Sequence, residues 1–139
     1  SIPINLKIVK TFIESLPFKL TFAQKRSAWQ ILKDLSKGRP MNRLLEGDVG
    51  SGKTVVAMIA ALNTIKAGFQ TAFMAPTEIL AKQHFQETFK LLKPFDVKIG
   101  LLTGSDNKIA SKNKIIKISR KRILQKLKGG EIVLLIGTL

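Results

Sequence analysis

The chain has 139 residues, of which 45% are hydrophobic, and this composition predicts one folded domain with a real core rather than a disordered segment. No apolar run approaches the roughly 18 residues that a membrane span requires, and the absence of cysteine excludes a disulfide framework and a thiolate metal site. We therefore expect a cytoplasmic domain with no membrane association. The net charge of +15 favours a polyanion such as nucleic acid, although a lysine-rich surface without a function explains it equally well.

The first half of the chain alternates helix and loop signals. Apolar residues at helical spacing within residues 1–20 predict a connecting helix, and residues 21–139 are then the domain itself. A second helix begins at Thr21 and stops before Gly38 and Pro40. A short strand at Arg43–Glu46 leads into a glycine-rich loop, and an apolar helix follows at Thr54–Ala67.

The second half repeats the alternation of strand and helix. Predicted strands at Gln70–Met74, Val97–Leu102 and Ile132–Ile136 are separated by a helix that Thr77 caps and by a basic helix at Ser111–Lys128. Strands joined by helices of this length predict an α/β fold, a parallel sheet flanked by helices. Because the sequence stops directly after a strand-like run, we expect a truncated part of a longer protein.

The glycine-rich loop carries the strongest chemical signal. It has the pattern G-x-x-x-x-G-K-T, in the order Gly47, Asp48, Val49, Gly50, Ser51, Gly52, Lys53, Thr54. Glycines allow successive N–H groups to turn inward around an anion, and the following helix adds its free N–H donors at the same point. Lys53 is predicted to reach the β- and γ-phosphates, and the Thr54 hydroxyl to bind Mg²⁺. The loop therefore predicts a nucleoside triphosphate site.

The residues around the loop are more specific than the loop itself. The segments Leu16–Gln24, Pro40–Thr54 and Met74–Phe85 closely resemble RecG, a family of bacterial ATP-dependent DNA helicases, with Mfd-type translocases as the nearest related pattern. The resemblance is dense over residues 14–105 and loose over residues 130–138. It implies the N-terminal part of the first RecA-like lobe of a superfamily-two motor. Its cofactors would be ATP and Mg²⁺, and its partners branched or forked DNA and a second RecA-like lobe of the same protein.

The resemblance also implies roles for individual residues. Gln24 would read the adenine amino group, with Phe18 near the ring. A further set would contact the DNA backbone, namely Pro76, Thr77, Gly104, Ser105, Gly137 and Thr138. Leu139 departs from the family pattern, which has a histidine there, and the acidic motif that orients Mg²⁺ and water would lie beyond it.

Several residues have a purely structural alternative. Thr21-x-x-Gln24 has the spacing of a helix capping box, Thr77 alone suffices as a helix cap, and Gly104-Ser105 as a turn. His84, alone on a helix, is more often a surface or packing residue. A non-motor P-loop phosphotransferase and a nucleic-acid-binding module with a vestigial loop also remain as alternative functions, and ATP affinity would separate the latter.

Overall fold

A computed structural model describes residues 1–38 and 52–138 of the chain. The predicted strand Arg43–Glu46 and the loop residues Gly47–Ser51 lie outside the described residues, as does Leu139. In chain order, the elements are α1 (Leu6–Ser15), α2 (Phe22–Ser36), α3 (Lys53–Lys66), β1 (Thr71–Ala75), α4 (Glu78–Leu92), β2 (Ile99–Leu102), β3 (Asn107–Ser111), β4 (Lys114–Lys117), α5 (Arg120–Lys128) and β5 (Leu134–Thr138).

Small polar residues start most of these helices. The side chains of Asn5, Thr21, Thr77 and Ser119 each accept a hydrogen bond from a backbone N–H in the first turn of α1, α2, α4 and α5, respectively. Such caps satisfy one of the donors that a helix N-terminus leaves unpaired. The start of α3 differs, because Gly52 stands at its N-cap with a φ of 88°, a left-handed conformation that favours glycine.

The five strands form one sheet in the order β1-β5-β2-β3-β4. β5 pairs in parallel with both β1 and β2, which confirms the predicted parallel βαβ arrangement. β3 and β4 pair antiparallel at the β2 edge, so that the sheet as a whole is mixed. The prediction of a helix over Ser111–Lys128 was therefore wrong before α5, because residues 111–117 are the end of β3, a turn and β4.

The hairpin has a clear physical reason. Ile109 of β3 lies opposite Ile116 of β4, and Ala110 lies opposite Ile115, so that apolar residues pair across the two strands. Isoleucine is β-branched and packs well on a pleated surface. Lys112 and Asn113 form the connecting turn with φ values of 49° and 68°. Two successive residues with positive φ are typical of the tight turns that join antiparallel strands.

Two apolar clusters cover the two faces of the sheet. The larger lies between the sheet and helices α3 and α4, and includes Leu134 and Ile136 of β5. The smaller comprises Ile109, Ile123 and Ile132, with Leu135 packed against it. Alternate residues of β5 thus serve opposite faces, as the pleat requires. Within the described residues, no helix has the length and apolar character needed to cross a membrane.

Candidate functional site

The predicted DNA-contact segments lie at the carboxyl ends of the parallel strands. Ala75, the last residue of β1, is in register with Thr138, and Leu102, the last of β2, with Gly137. These three parallel strands therefore end side by side. Pro76 and Thr77 follow β1, and a loop of residues 103–106 connects β2 to β3, so that segments distant in sequence meet where the strands end. In open α/β sheets, ligands bind outside this edge.

Glu78 connects two of these segments. Its Oε1 atom accepts hydrogen bonds from the Thr103 hydroxyl (2.6 Å), the Ser105 backbone N–H (3.2 Å) and the Ser105 hydroxyl. The two hydroxyl donors, Ser105 before Thr103, hold the pKa of the Glu78 carboxyl below its usual range, because hydrogen bonds to the charged form favour ionisation. Glu78 is the first residue of α4. It therefore fixes the start of this helix against the loop that carries Gly104 and Ser105.

Charged side chains continue outward from this contact. The Lys82 ammonium lies 3.9 Å from Glu78 and 3.8 Å from Asp106, and Lys108 lies 3.3 Å from Asp106. Lys82 is 44% exposed, and ion pairs of this kind contribute little to stability. Their relevance lies in where they place positive charge: Lys82 and Lys108 lie beside the loop of residues 103–106.

Gly137 and Thr138 sit inside the sheet rather than in a loop. Gly137 is buried, and a Cβ atom there would lie 2.8 Å from the Leu102 carbonyl oxygen and 3.4 Å from Met74 Cε. The strands β5 and β2 can approach this closely only because residue 137 lacks a side chain. Glycine at this position thus has a structural reason that does not depend on DNA binding.

Gln24 has both of its amide ends engaged. Its Oε1 accepts from the Thr21 N–H at 2.8 Å, and its Nε2 donates to the Gly52 carbonyl at 3.5 Å. Together with the Thr21 hydroxyl, which accepts from the Gln24 N–H at 3.1 Å, this is the capping box that the spacing allowed. One amide hydrogen and one oxygen lone pair stay available. Gln24 therefore lies against Gly52, the residue that precedes α3, with one donor and one acceptor to spare.

Phe18 lies between α1 and α2 and is 46% exposed. Its ring is thus accessible three residues before Thr21, the N-cap of α2. An accessible ring of this kind can stack on a base.

Lys53 and Thr54 begin α3. Lys53 is exposed, whereas Thr54 is 2% exposed. The Thr54 hydroxyl contacts His84 of α4, with Oγ1 and Nδ1 3.2 Å apart. His84 is itself buried, and its ring lies 5.1 Å from the Phe73 ring. Burial lowers the pKa of His84, only partly opposed by Glu87, which keeps its imidazole neutral near pH 7.

The described residues fit a Mg²⁺ ion that is held mainly by phosphate oxygens. They contain no cluster of three or more His, Asp or Glu side chains able to cage a metal by themselves. Mg²⁺ commonly binds through few protein oxygens together with substrate phosphates and water. The Thr54 hydroxyl, in the first turn of α3, offers an oxygen of the type that such an ion accepts.

Sequence reasoning did not identify Glu78 or the Thr54–His84 contact. An acidic residue in the first turn of a helix is ordinarily explained by the helix dipole, so nothing in the local pattern pointed from Glu78 to Ser105. The partner of His84 is 30 residues away. Only the packing of α4 on α3 brings these two side chains together.

Known proteins resemble this chain closely. A sequence-family model described as DEAD/DEAH box helicase matches residues 23–136. Proteins named ATP-dependent DNA helicase RecG are similar: that of Aquifex aeolicus is 46% identical over 97% of this chain and 16% of its own length. The Bacillus subtilis protein is 49% identical over 91% of this chain and 17% of its own length.

A solved structure also matches. It is described as RecG bound to a three-way DNA junction, and its TM-score is 0.77 at 45% identity, over 99% of this chain and 18% of that one. The chain thus spans about one sixth of the length of the relatives it matches.

Proposed function

Since the chain belongs to the DEAD/DEAH box helicase family, we propose that it is the ATP-binding part of a motor that couples ATP hydrolysis to remodelling of branched DNA. Such a motor would act in replication-fork rescue, recombination and repair. The similar proteins named RecG, including one bound to a three-way junction, support this choice of DNA substrate.

One observation of the structure carries the proposal. Three segments expected to hold a nucleic-acid backbone are far apart in sequence, yet they lie at one edge of the sheet. Glu78 joins two of them through its contacts with Thr103 and Ser105. The exposed Thr77 hydroxyl, which accepts from the Leu80 N–H and keeps its own hydrogen, and the flanking Lys82 can contact phosphates without reading base sequence. This suits a motor that must move along any DNA.

The nucleotide would be held at the start of α3, at the carboxyl end of the sheet, where α4 contacts Thr54 through His84. Lys53 would supply positive charge to the β- and γ-phosphates, and Thr54 would give its hydroxyl oxygen to Mg²⁺. The metal ion, when bound, neutralises charge on the phosphate oxygens during transfer to water. Gln24 would pair with the adenine edge through its remaining donor and acceptor, and Phe18 would contact the ring. Hydrolysis would further need a second RecA-like lobe, because an arginine from outside the first lobe completes the charge in comparable enzymes.

The experiment is DNA-stimulated ATP hydrolysis and junction unwinding by the full-length protein, with Lys53→Ala compared with Lys66→Ala. Both lysines are exposed residues of α3, at its first and last positions, so Lys66 is a matched control for loss of charge. We expect Lys53→Ala to lower turnover by at least about a hundredfold, as removal of a key charge-stabilising donor does. Lys66→Ala should behave as the unaltered protein.

Two results would oppose the proposal. Turnover by Lys53→Ala within about threefold of the unaltered protein, under 1 kcal/mol in barrier terms, would remove Lys53 from the mechanism. Normal Lys53-dependent ATP turnover that does not respond to DNA, or in which the phosphate passes to a small molecule instead of to water, would indicate a non-motor P-loop enzyme.

A further inference from the structure

His84 is a polar residue in an apolar position. It lies in the first half of α4 and is 2% exposed, with its ring packed at 5.1 Å from that of Phe73. Its Nδ1 lies 3.2 Å from Thr54 Oγ1, while its Nε2 is buried and has no hydrogen-bond partner among the described residues. Leaving a buried polar atom unpaired costs free energy. If packing were its only role, an apolar ring would be more favourable here. Histidine differs from such a ring in its hydrogen-bonding contact with Thr54.

The contact constrains the Thr54 hydroxyl. A hydroxyl has one hydrogen and two lone pairs, and its hydrogen rotates to suit its partners. Thr54 is β-branched and stands in a helix, where χ1 divides between two rotamers. A partner on one side of Oγ1 selects one rotamer and occupies one hydrogen-bonding direction. The opposite direction is then left for another ligand.

We propose that His84 is a positioning residue for Thr54: it holds the hydroxyl in the orientation from which the oxygen binds the Mg²⁺ that accompanies the nucleotide. The inference rests on the proposed function, because it requires Thr54 to be a ligand of that ion. His84 does not touch the nucleotide in this arrangement. It acts only through the Thr54 oxygen, which is preorganised and need not be reoriented when the ion binds.

The test measures binding rather than turnover. The dissociation constant of a fluorescent ADP analogue from the full-length protein is measured once in the presence of Mg²⁺ and once in the presence of EDTA. The ratio of the two constants gives the Mg²⁺ enhancement. Two substitutions separate positioning from packing. His84→Phe keeps a ring against Phe73 and removes the polar atom, whereas His84→Asn loses the ring and keeps a polar atom near the place of Nδ1.

A positioning role and a packing role of His84 predict opposite effects of the two substitutions on the Mg²⁺ enhancement. If His84 positions Thr54, His84→Phe should lower the Mg²⁺ enhancement about three- to tenfold, the equivalent of one ordinary hydrogen bond, with unchanged affinity in EDTA. His84→Asn should retain most of the enhancement. If His84 only fills space, His84→Phe should keep the full enhancement and His84→Asn should lose stability and affinity in both media, which would overturn the inference.

Two controls make every outcome decisive. Thr54→Ala sets the enhancement expected when the hydroxyl is absent, and Lys53→Ala reports on the nucleotide site itself. Normal ADP affinity in Lys53→Ala would refute the proposed function, whereas a normal enhancement in His84→Phe beside a reduced one in Thr54→Ala would refute only the role of His84. His84→Leu is read in the same way if the larger Phe ring prevents folding.

Discussion

Substitution of Gly137 by alanine should open the sheet locally. The added Cβ would lie 2.8 Å from the Leu102 carbonyl oxygen, which is a backbone atom of the paired strand, and 3.4 Å from Met74 Cε. The Met74 side chain can move aside, but the carbonyl cannot move without separating β2 from β5 at the pair Leu102–Gly137. Overpacking of this kind typically costs about 1–3 kcal/mol.

Two other glycines give a graded comparison. A Cβ at Gly100 would meet only side chains, the nearest being Ile132 Cδ1 at 3.1 Å, and a Cβ at Gly104 would meet no atom within 4 Å. Destabilisation should therefore be greatest for Gly137→Ala, smaller for Gly100→Ala and near zero for Gly104→Ala. Gly104 is exposed and, like Gly137, is predicted to contact DNA, so that it separates a structural effect from a binding effect.

Hydrogen exchange of the full-length protein, followed by mass spectrometry, measures this locally. A cost of about 1–3 kcal/mol corresponds to exchange of the β2 and β5 amides that is about fivefold to over a hundredfold faster. Exchange in Gly137→Ala at the rate of the unaltered protein would refute the close approach of the two strands. Faster exchange in Gly104→Ala would show that the loop of residues 103–106 is packed more tightly than the structure indicates.

Further predictions concern the site. Gln24→Ala should weaken ATP binding more than GTP binding, and an equal loss for both nucleotides would contradict adenine reading. Glu78→Ala should weaken binding to a three-way junction while leaving ADP affinity unchanged, with exposed Glu14→Ala as control; unchanged junction affinity would contradict the connecting role of Glu78. Because hydrogen bonds from Ser105 and Thr103 lower the pKa of Glu78 below its ordinary 4.5, the stability that this carboxylate contributes is present above that value and is lost as the pH falls through the lowered one. Denaturant unfolding over this range should show a smaller loss in Glu78→Gln, and identical curves would contradict it.

The fold could be predicted in those segments where the apolar residues follow a single clear pattern, the spacing of a helix or the unbroken run of a buried strand. The helices α1 to α4 and the parallel strands follow from such periods, although β5 begins at Leu134 rather than at the predicted Ile132. The β3–β4 hairpin was missed because lysine favours helices and is abundant there, while residues 107–117 show no regular alternation of apolar and polar positions. The isoleucines themselves are the better guide there, since β-branched residues pack well on a pleated surface.

The candidate site divides in the same way. The phosphate loop and the caps Thr21 and Thr77 are local patterns, and a sequence displays them directly. Contacts between elements are not local: no spacing rule connects Glu78 with Ser105, or His84 with Thr54, because each depends on how α4 lies against the loop or the helix beside it. The resemblance to a family indicated the region in both cases, but not the atoms.

Helix α4 is the element in which these contacts meet. Glu78 in its first turn holds the loop of Ser105, and His84 contacts the Thr54 hydroxyl beside the phosphate loop. The two residues are about 9 Å apart along the helix at 1.5 Å per residue, and both belong to the one continuous helix Glu78–Leu92. A change in the position of Thr54 and a change in the contact between Glu78 and the loop of Ser105 therefore involve the same helix. This helix also packs on β1, β2 and β5. Measuring junction affinity of His84→Phe with and without nucleotide tests this connection. If nucleotide alters junction binding as strongly in His84→Phe as in the unaltered protein, the two ends of α4 act independently.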